Sequence, residues 1–266
     1  YGRLLRAVEF DSTQTSTSVA GYERWGYAAK FGIGKPTNFV DVIYLSASDA
    51  GGSLEAPPWV SGITPAQNVI TGIVIHQQIL QVFTWNLEGA ASGYTRDLDA
   101  AGVDDGGQVP SFLKRIITVN SSSRISTALK TSFKWSHKTA GLEVAYRRVD
   151  PGYQSMGAYY LQSDIEEVTV GPSVRLWQSK LSLAGKIGVA RDDLLHTKQN
   201  QTLRLVGSVA ASVRPSTLWG LDLSYSNNSN SRQTRIDSLA DSLNMLTQVN
   251  TVGVVPSINF GNETWR

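Results

Sequence analysis

Between Ile165 and Asn228 the chain changes polarity at every residue, four times over. Val168, Val170, Pro172, Val174 and Leu176 alternate with Thr169, Gly171, Ser173 and Arg175. After Gln178-Ser179 the pattern restarts as Leu181, Leu183, Gly185, Ile187 and Val189 against Ser182, Ala184, Lys186, Gly188 and Ala190. It resumes as Leu203, Leu205, Gly207, Val209, Ala211 and Val213 against Arg204, Ser208, Ser212 and Arg214. After Pro215-Ser216 it runs through Trp219, Leu221, Leu223 and Tyr225 against Gly220, Asp222, Ser224 and Ser226. Successive strand residues point to opposite faces, so a period of two makes a ribbon with one apolar and one polar side. Ribbons of about ten residues joined by turns of about two or three predict strands that cross a bilayer in an up-and-down β-barrel.

The same pattern extends over most of the chain. Tyr1 to Phe10 reads as a first strand with blurred faces, and Gly21 to Ile33 as a second in which Trp25, Tyr27, Ala29, Phe31 and Ile33 oppose Arg24, Lys30 and small residues. Asn38 to Ser46 is β-prone, with Asp41 among Phe39, Ile43 and Leu45. Val69 to His76 and Gln81 to Tyr94 pair around a turn near Gln77-Gln78. Arg124 to Ser136 and Gly141 to Arg148 pair around His137, and Asn250 to Phe260 closes the series. About twelve antiparallel strands result, an even number as barrels require. Between Thr95 and Ser123 an acidic Gly-rich insertion precedes an expected amphipathic helix over Pro110 to Thr118, and Asn227 to Asn244 reads as a loop with a helical turn carrying Ile236, Leu239 and Leu243.

Two regularities span these strands. Connections alternate between short (near Lys35, Gln78, Lys138, Ser179 and Ser216) and long (near Thr15, Pro57, Asp104, Gly152, Thr197 and Arg235), as tight periplasmic turns and free external loops do. Aromatics gather beside the short turns, and Phe39, Phe83, Trp135, Trp177 and Trp219 are the expected membrane-interface belt. A soluble β-sandwich also alternates, but its strands average about five or six residues. The polar faces here carry charges at mid-strand, of which Lys130, Glu143, Arg147, Arg175, Lys186, Arg204 and Asp222 are the expected lumen lining. The apolar faces from Phe83 to Val213 are nearly free of charge.

Composition removes other classes. The 266 residues include no Cys, which excludes disulfides, a thiol nucleophile and cysteine-ligated zinc. A net charge of +2 gives no argument for nucleic acid. No apolar run reaches the roughly 18 residues of a transmembrane helix. His76, His137 and His196 fall in or near turns and form no catalytic triad by spacing, so no enzymatic activity is expected. Asp97-Leu98-Asp99 with Asp104-Asp105-Gly106 misses the EF-hand pattern, and Gly32-Ile33-Gly34-Lys35 lacks phosphate-loop spacing; neither metal nor cofactor is expected.

In architecture, from about Gly21 to Phe260, the chain resembles the outer-membrane β-barrel proteins of Gram-negative bacteria, the porin-like and transport barrels. Tyr94-Thr95-Arg96-Asp97 and Tyr146-Arg147-Arg148-Val149-Asp150-Pro151-Gly152-Tyr153 have the look of barrel-rim loops. The resemblance implies one barrel domain over 1–266, location in the bacterial outer membrane, lipid as the surrounding partner, and a pore or transport/secretion role for polar solutes. The alternative it leaves open is a non-conducting structural or binding barrel. In that case long loops bearing Trp59, Tyr153, Tyr159 and Tyr160 hold an external protein partner, or a partner is met on the periplasmic side. Such barrels usually end on an aromatic residue, whereas this chain ends Thr264-Trp265-Arg266, and no signal peptide precedes Tyr1-Gly2-Arg3. A piece of a larger barrel is therefore expected.

Overall fold

A computed structural model describes residues 1–9, 20–55, 62–103, 116–158, 161–234 and 244–259. They form β1 (Gly2–Leu5), β2 (Arg24–Lys35), β3 (Asn38–Asp49), β4 (Gln67–Ile79), β5 (Phe83–Thr95), β6 (Ser123–Ser136), β7 (Ala140–Val149), β8 (Ile165–Leu176), β9 (Leu181–Arg191), β10 (Asn200–Val213), β11 (Trp219–Thr234) and β12 (Met245–Ile258). These make one antiparallel sheet in which spatial order follows chain order from β1 to β12. The only described helix is a short 3-10 turn at Gly51–Ser53. The all-β meander, its alternating short and long connections and most strand positions follow the sequence expectation. Among the described residues β1 and β12 remain the two edges of the sheet.

The chain divides into two compact units. The first holds Tyr1–Ile75, Glu88–Ala128 and Gly152–Ser163; the second holds His76–Leu87, Leu129–Pro151 and Asp164–Arg266.

In the first unit, β2 and β3 pair without interruption from Arg24↔Asp49 to Lys35↔Asn38. The register settles the orientation of Asp41. It lies opposite Gly32, so Phe39, Asp41, Ile43 and Leu45 share a face with Lys30, which binds Asp41 at 2.7 Å. That face, called inner for the charges it carries, is covered near the long-loop end. Ala47, Ala66 and Met156 pack together there with Tyr94 against them. Asn68, fully buried, donates to Ser92 Oγ (2.8 Å) and the Gly93 carbonyl (2.9 Å), and its Oδ1 accepts from the Met156 amide at 3.0 Å. Ser92 Oγ donates to the Gln154 carbonyl at 2.6 Å. The segment after β7 is thereby fastened to β4 and β5. Gly152 has φ +75°, a left-handed conformation that favours glycine, and a Cβ there would force the Arg124 side chain to shift.

In the second unit β7 through β12 pair in chain order, and the β8–β9 ladder is interrupted at Gly171-Pro172, where proline has no amide to donate. Val209 faces Gly185 on one side and Tyr225 on the other. The strands β11 and β12 pair from Trp219↔Ile258 to Arg232↔Met245. The expected loop from Asn227 is therefore strand as far as Thr234; Ile236, Leu239 and Leu243 lie outside the described residues, as do Pro110 to Arg115 of the expected helix. Large apolar residues on the outer face stay uncovered: Val168, Val170, Ile187, Val189, Leu203, Leu205 and Val209 are all exposed.

Two of the short turns use left-handed residues without glycine. Val82 N donates to the Ile79 carbonyl across Leu80 (φ 51°) and Gln81 (φ 56°). Lys180 N donates to the Trp177 carbonyl across Gln178 (φ 54°) and Ser179 (φ 70°). Positive φ at both central positions matches the twist of the flanking strands but costs an L-residue about 1–2 kcal/mol. Replacing Leu80-Gln81 by Asn-Gly should therefore raise stability by about 1 kcal/mol, seen as a higher urea midpoint. Asn68→Ala should instead lower it by about 2–4 kcal/mol, because it strands the Met156 amide and leaves a buried gap.

Candidate functional site

The register of the second unit sorts its charges onto one face. Glu143 lies opposite Gly171, Arg147 opposite Glu167, Arg175 opposite Ser182, Lys186 opposite Ser208, Arg204 opposite Asn230 and Asp222 opposite Ser212. A cleft of about 620 Å³ opens on this face along β6 to β9. Four of the seven residues expected in a lumen line it: Lys130, Glu143, Arg147 and Lys186. Lys134 and Glu167, which the sequence reading did not single out, line it as well. Arg175, Arg204 and Asp222 share the face but lie outside the cleft.

Several charges elsewhere among the described residues are paired. Arg24 holds Asp49 at 2.7 Å, and Arg214 holds Asp222 at 2.9 Å. The cleft differs: among the described residues, no ion pair or side-chain hydrogen bond engages Lys134, Glu143, Arg147, Glu167 or Lys186. Even Arg147 and Glu167, direct cross-strand neighbours, are not joined. Unpaired charges persist where water solvates them and are costly where it does not.

The opposite face carries an apolar band. On β8 and β9 it runs from Leu176 and Leu181 at the short turn to Val168 and Val189, and ends where Glu166 meets Arg191. At that boundary Tyr146 donates its hydroxyl to Glu166 Oε1 (2.8 Å), and Arg191 Nε donates to Glu166 Oε2 (2.6 Å). On β11 the band stops at Tyr225, whose hydroxyl donates to Asn250 Oδ1 at 3.1 Å. Of the five expected interface aromatics, Trp219 sits on this face opposite Ile258, and Trp177 opens the turn after β8, largely exposed. Phe83 stacks on Phe133 (centroids 5.5 Å apart), and Trp135 stacks beside His137. Phe39 departs from the expectation. It pairs with Gly34 and so, together with Ile43 and Leu45, shares a face of the first unit with Lys30, while the face that carries Phe31 and Ile33 takes Val42 and Val40 from β3 instead.

The long-loop rim holds a polar knot that no sequence signal revealed. The Asp164 carboxylate accepts the amides of Asp193 (3.1 Å) and Leu194 (2.9 Å) and binds the Lys198 ammonium. Asp193 Oδ1 in turn accepts the amides of Thr197 and Lys198, each at 2.9 Å. In the other unit Asp97 Oδ1 accepts its own loop's Asp99 amide at 2.9 Å, while Asn120 and Ser122 donate to the Asp97 carbonyl. The Asp97 carboxylate thus serves turn geometry; Asp104 and Asp105 lie outside the described residues. Among the described residues no group of three His, Asp or Glu is placed to hold a metal ion. His76 Nδ1 lies 2.6 Å from Asn86 Oδ1.

The class that fold and face chemistry define is an all-β antiparallel meander with one ionic and one apolar side. Comparison with protein-family models, curated proteins and solved structures finds no match.

Burial alone would raise the Asp164 carboxyl, but Lys198 and the two amides outweigh it and hold it below the usual carboxylate range. The carboxylate chiefly raises Lys198 in return. A depressed folded pKa contributes stability that is present above the unfolded value of about 3.9 and lost as pH falls through the folded value. A raised Lys contributes below about 10.4, and that contribution is lost as pH rises through the folded value. Asp164→Asn should cost about 1–3 kcal/mol at pH 7, with the gap to wild type narrowing once pH drops below about 4; urea midpoints at both pH values test this.

Proposed function

We propose that this chain is the wall of an outer-membrane β-barrel that passes polar solutes across the envelope of a Gram-negative bacterium, without a catalytic step, cofactor or nucleic-acid partner. The observation that carries the reading is the opposed solvation of the sheet's two faces in the second unit. Full burial of a Val, Leu or Ile side chain away from water is worth about 1.5–3 kcal/mol, so an uncovered row of them favours lipid as the neighbouring phase. Nine residues from Leu181 to Val189 span about 26 Å at about 3.3 Å per residue. Tilted by about 40°, they cross about 20 Å, near the roughly 25 Å band of such barrels. Tyr146 and Tyr225 direct their hydroxyls to polar partners at one boundary, and Trp177 and Trp219 stand at the other, as interfacial aromatics do.

The covered inner face of the first unit favours a second reading, a non-conducting barrel whose interior is filled and whose loops bind a partner. Trp59, Tyr159 and Tyr160, expected on those loops, lie outside the described residues. The 266-residue chain refolded into lipid vesicles and planar bilayers separates the two. The pore reading expects stepwise conductance; a folded, inserted and silent protein favours the second reading, and a chain that stays soluble without lipid removes both.

Substitutions at neighbouring residues test face by face. Val209→Arg, on the outer face, should destabilise the lipid-inserted state by about 2–4 kcal/mol. Ser208→Arg, one residue away on the inner face, should cost less than about 0.5 kcal/mol. Equal effects would contradict the assignment of faces.

A further inference from the structure

We infer that the passage selects small anionic solutes, an inference that rests on reading the inner face as the wall of an aqueous passage. The cleft along β6 to β9 presents four cations, Lys130, Lys134, Arg147 and Lys186, against two carboxylates, Glu143 and Glu167. The chemistry of Lys134, Arg147 and Lys186 is available rather than consumed. Among the described residues Lys134, Arg147 and Lys186 make no ion pair, although this same sheet pairs Lys30 with Asp41 and Arg214 with Asp222.

The excess continues beyond the cleft. Arg175 and Arg204 are exposed on the same face and hold no carboxylate among the described residues. Asp222, the remaining carboxylate of that face, is occupied by Arg214. Positive charge is therefore mobile toward solute while negative charge is partly neutralised within the wall.

A concave surface of one sign, backed by an apolar low-dielectric layer, focuses its field into the enclosed water and concentrates counter-ions there. Lysine ammonium groups and an arginine fork bind phosphate, carboxylate and sulfate oxygens by charge-assisted hydrogen bonds. Exposed, mobile lysines bind such oxygens weakly, which suits passage better than retention, and rings of Lys and Arg are the usual wall of anion pores.

The test is the zero-current potential of the reconstituted chain across a planar bilayer under a tenfold potassium chloride gradient. The expected result is a several-fold preference for chloride over potassium, with inorganic phosphate reducing chloride current when added to one side. Lys134→Glu with Lys186→Glu should reverse the sign of the potential. Lys134→Gln with Lys186→Gln should weaken the preference at unchanged conductance steps, and it serves if the charge reversal fails to insert. Conductance without anion preference, or a preference untouched by either variant, overturns the inference and leaves the pore reading standing. An inserted chain that never conducts overturns the pore reading itself, and the inference with it.

Discussion

The backbone ladder between consecutive strands carries the second unit. Among the described residues no second layer covers its outer apolar face, and its inner face keeps charges exposed, so side-chain packing supplies little cohesion. The ladders supply it instead: β10 and β11 exchange an unbroken register from Asn200↔Thr234 to Val213↔Leu221, and β11 and β12 do the same. Backbone amides and carbonyls are obligatory hydrogen-bonding groups, and their pairing matters most where water is absent. The register also decides the chemistry. A slip of one residue would send Lys186 and Arg204 to the apolar side and Ile187 and Leu205 to the ionic one.

The first unit is held differently. Asn68, Ser92, Thr95 and Asp49 are buried polar groups whose partners come from segments distant in sequence. Thr95 Oγ1 donates to the Thr118 carbonyl at 2.6 Å, and the Asp49 carboxylate takes both Arg24 and the Ala66 amide. Fully satisfied polar networks of this kind fix one arrangement, because each member becomes costly once a partner leaves. The loop segment carrying Gln154 and Met156 is therefore part of the packed structure of that unit, in contrast to the bare ionic face of the other.

Alternation was legible wherever side chains of contrasting polarity took turns, which is why β8, β9 and β10 could be placed from residues alone. Legibility failed for specific physical reasons. From Asn227 to Ser231 both faces are polar, so the pattern reads as loop although the ladder continues on both sides. Leu80-Gln81 makes a tight turn with no Gly, Asn or Pro to announce it, and the expected turn fell two or three residues early. Phe39 and Asp41 share a face, so composition could not tell which one the register would follow. Whether a lumen charge is paired is a distance, and spacing does not encode it. Asp222 is engaged and Lys186 is not, though both alternate in the same way.

That last distinction bears most on function. An unpaired charge in a dry interior costs several kcal/mol, enough for a few of them to consume the stability of an ordinary domain. Lys134, Glu143, Arg147, Glu167 and Lys186 on one side of the sheet therefore demand water there. On the other side, Val168, Val170, Ile187, Val189 and Val209 demand its absence at comparable summed cost. A soluble sandwich satisfies the second demand by stacking another sheet and leaves the first to bulk solvent, but its apolar face is then buried in protein. In the proposed barrel wall, a sheet that leaves both faces uncovered, with phenol hydroxyls anchored at the edge of the apolar one, meets the two demands together because two solvents meet across it.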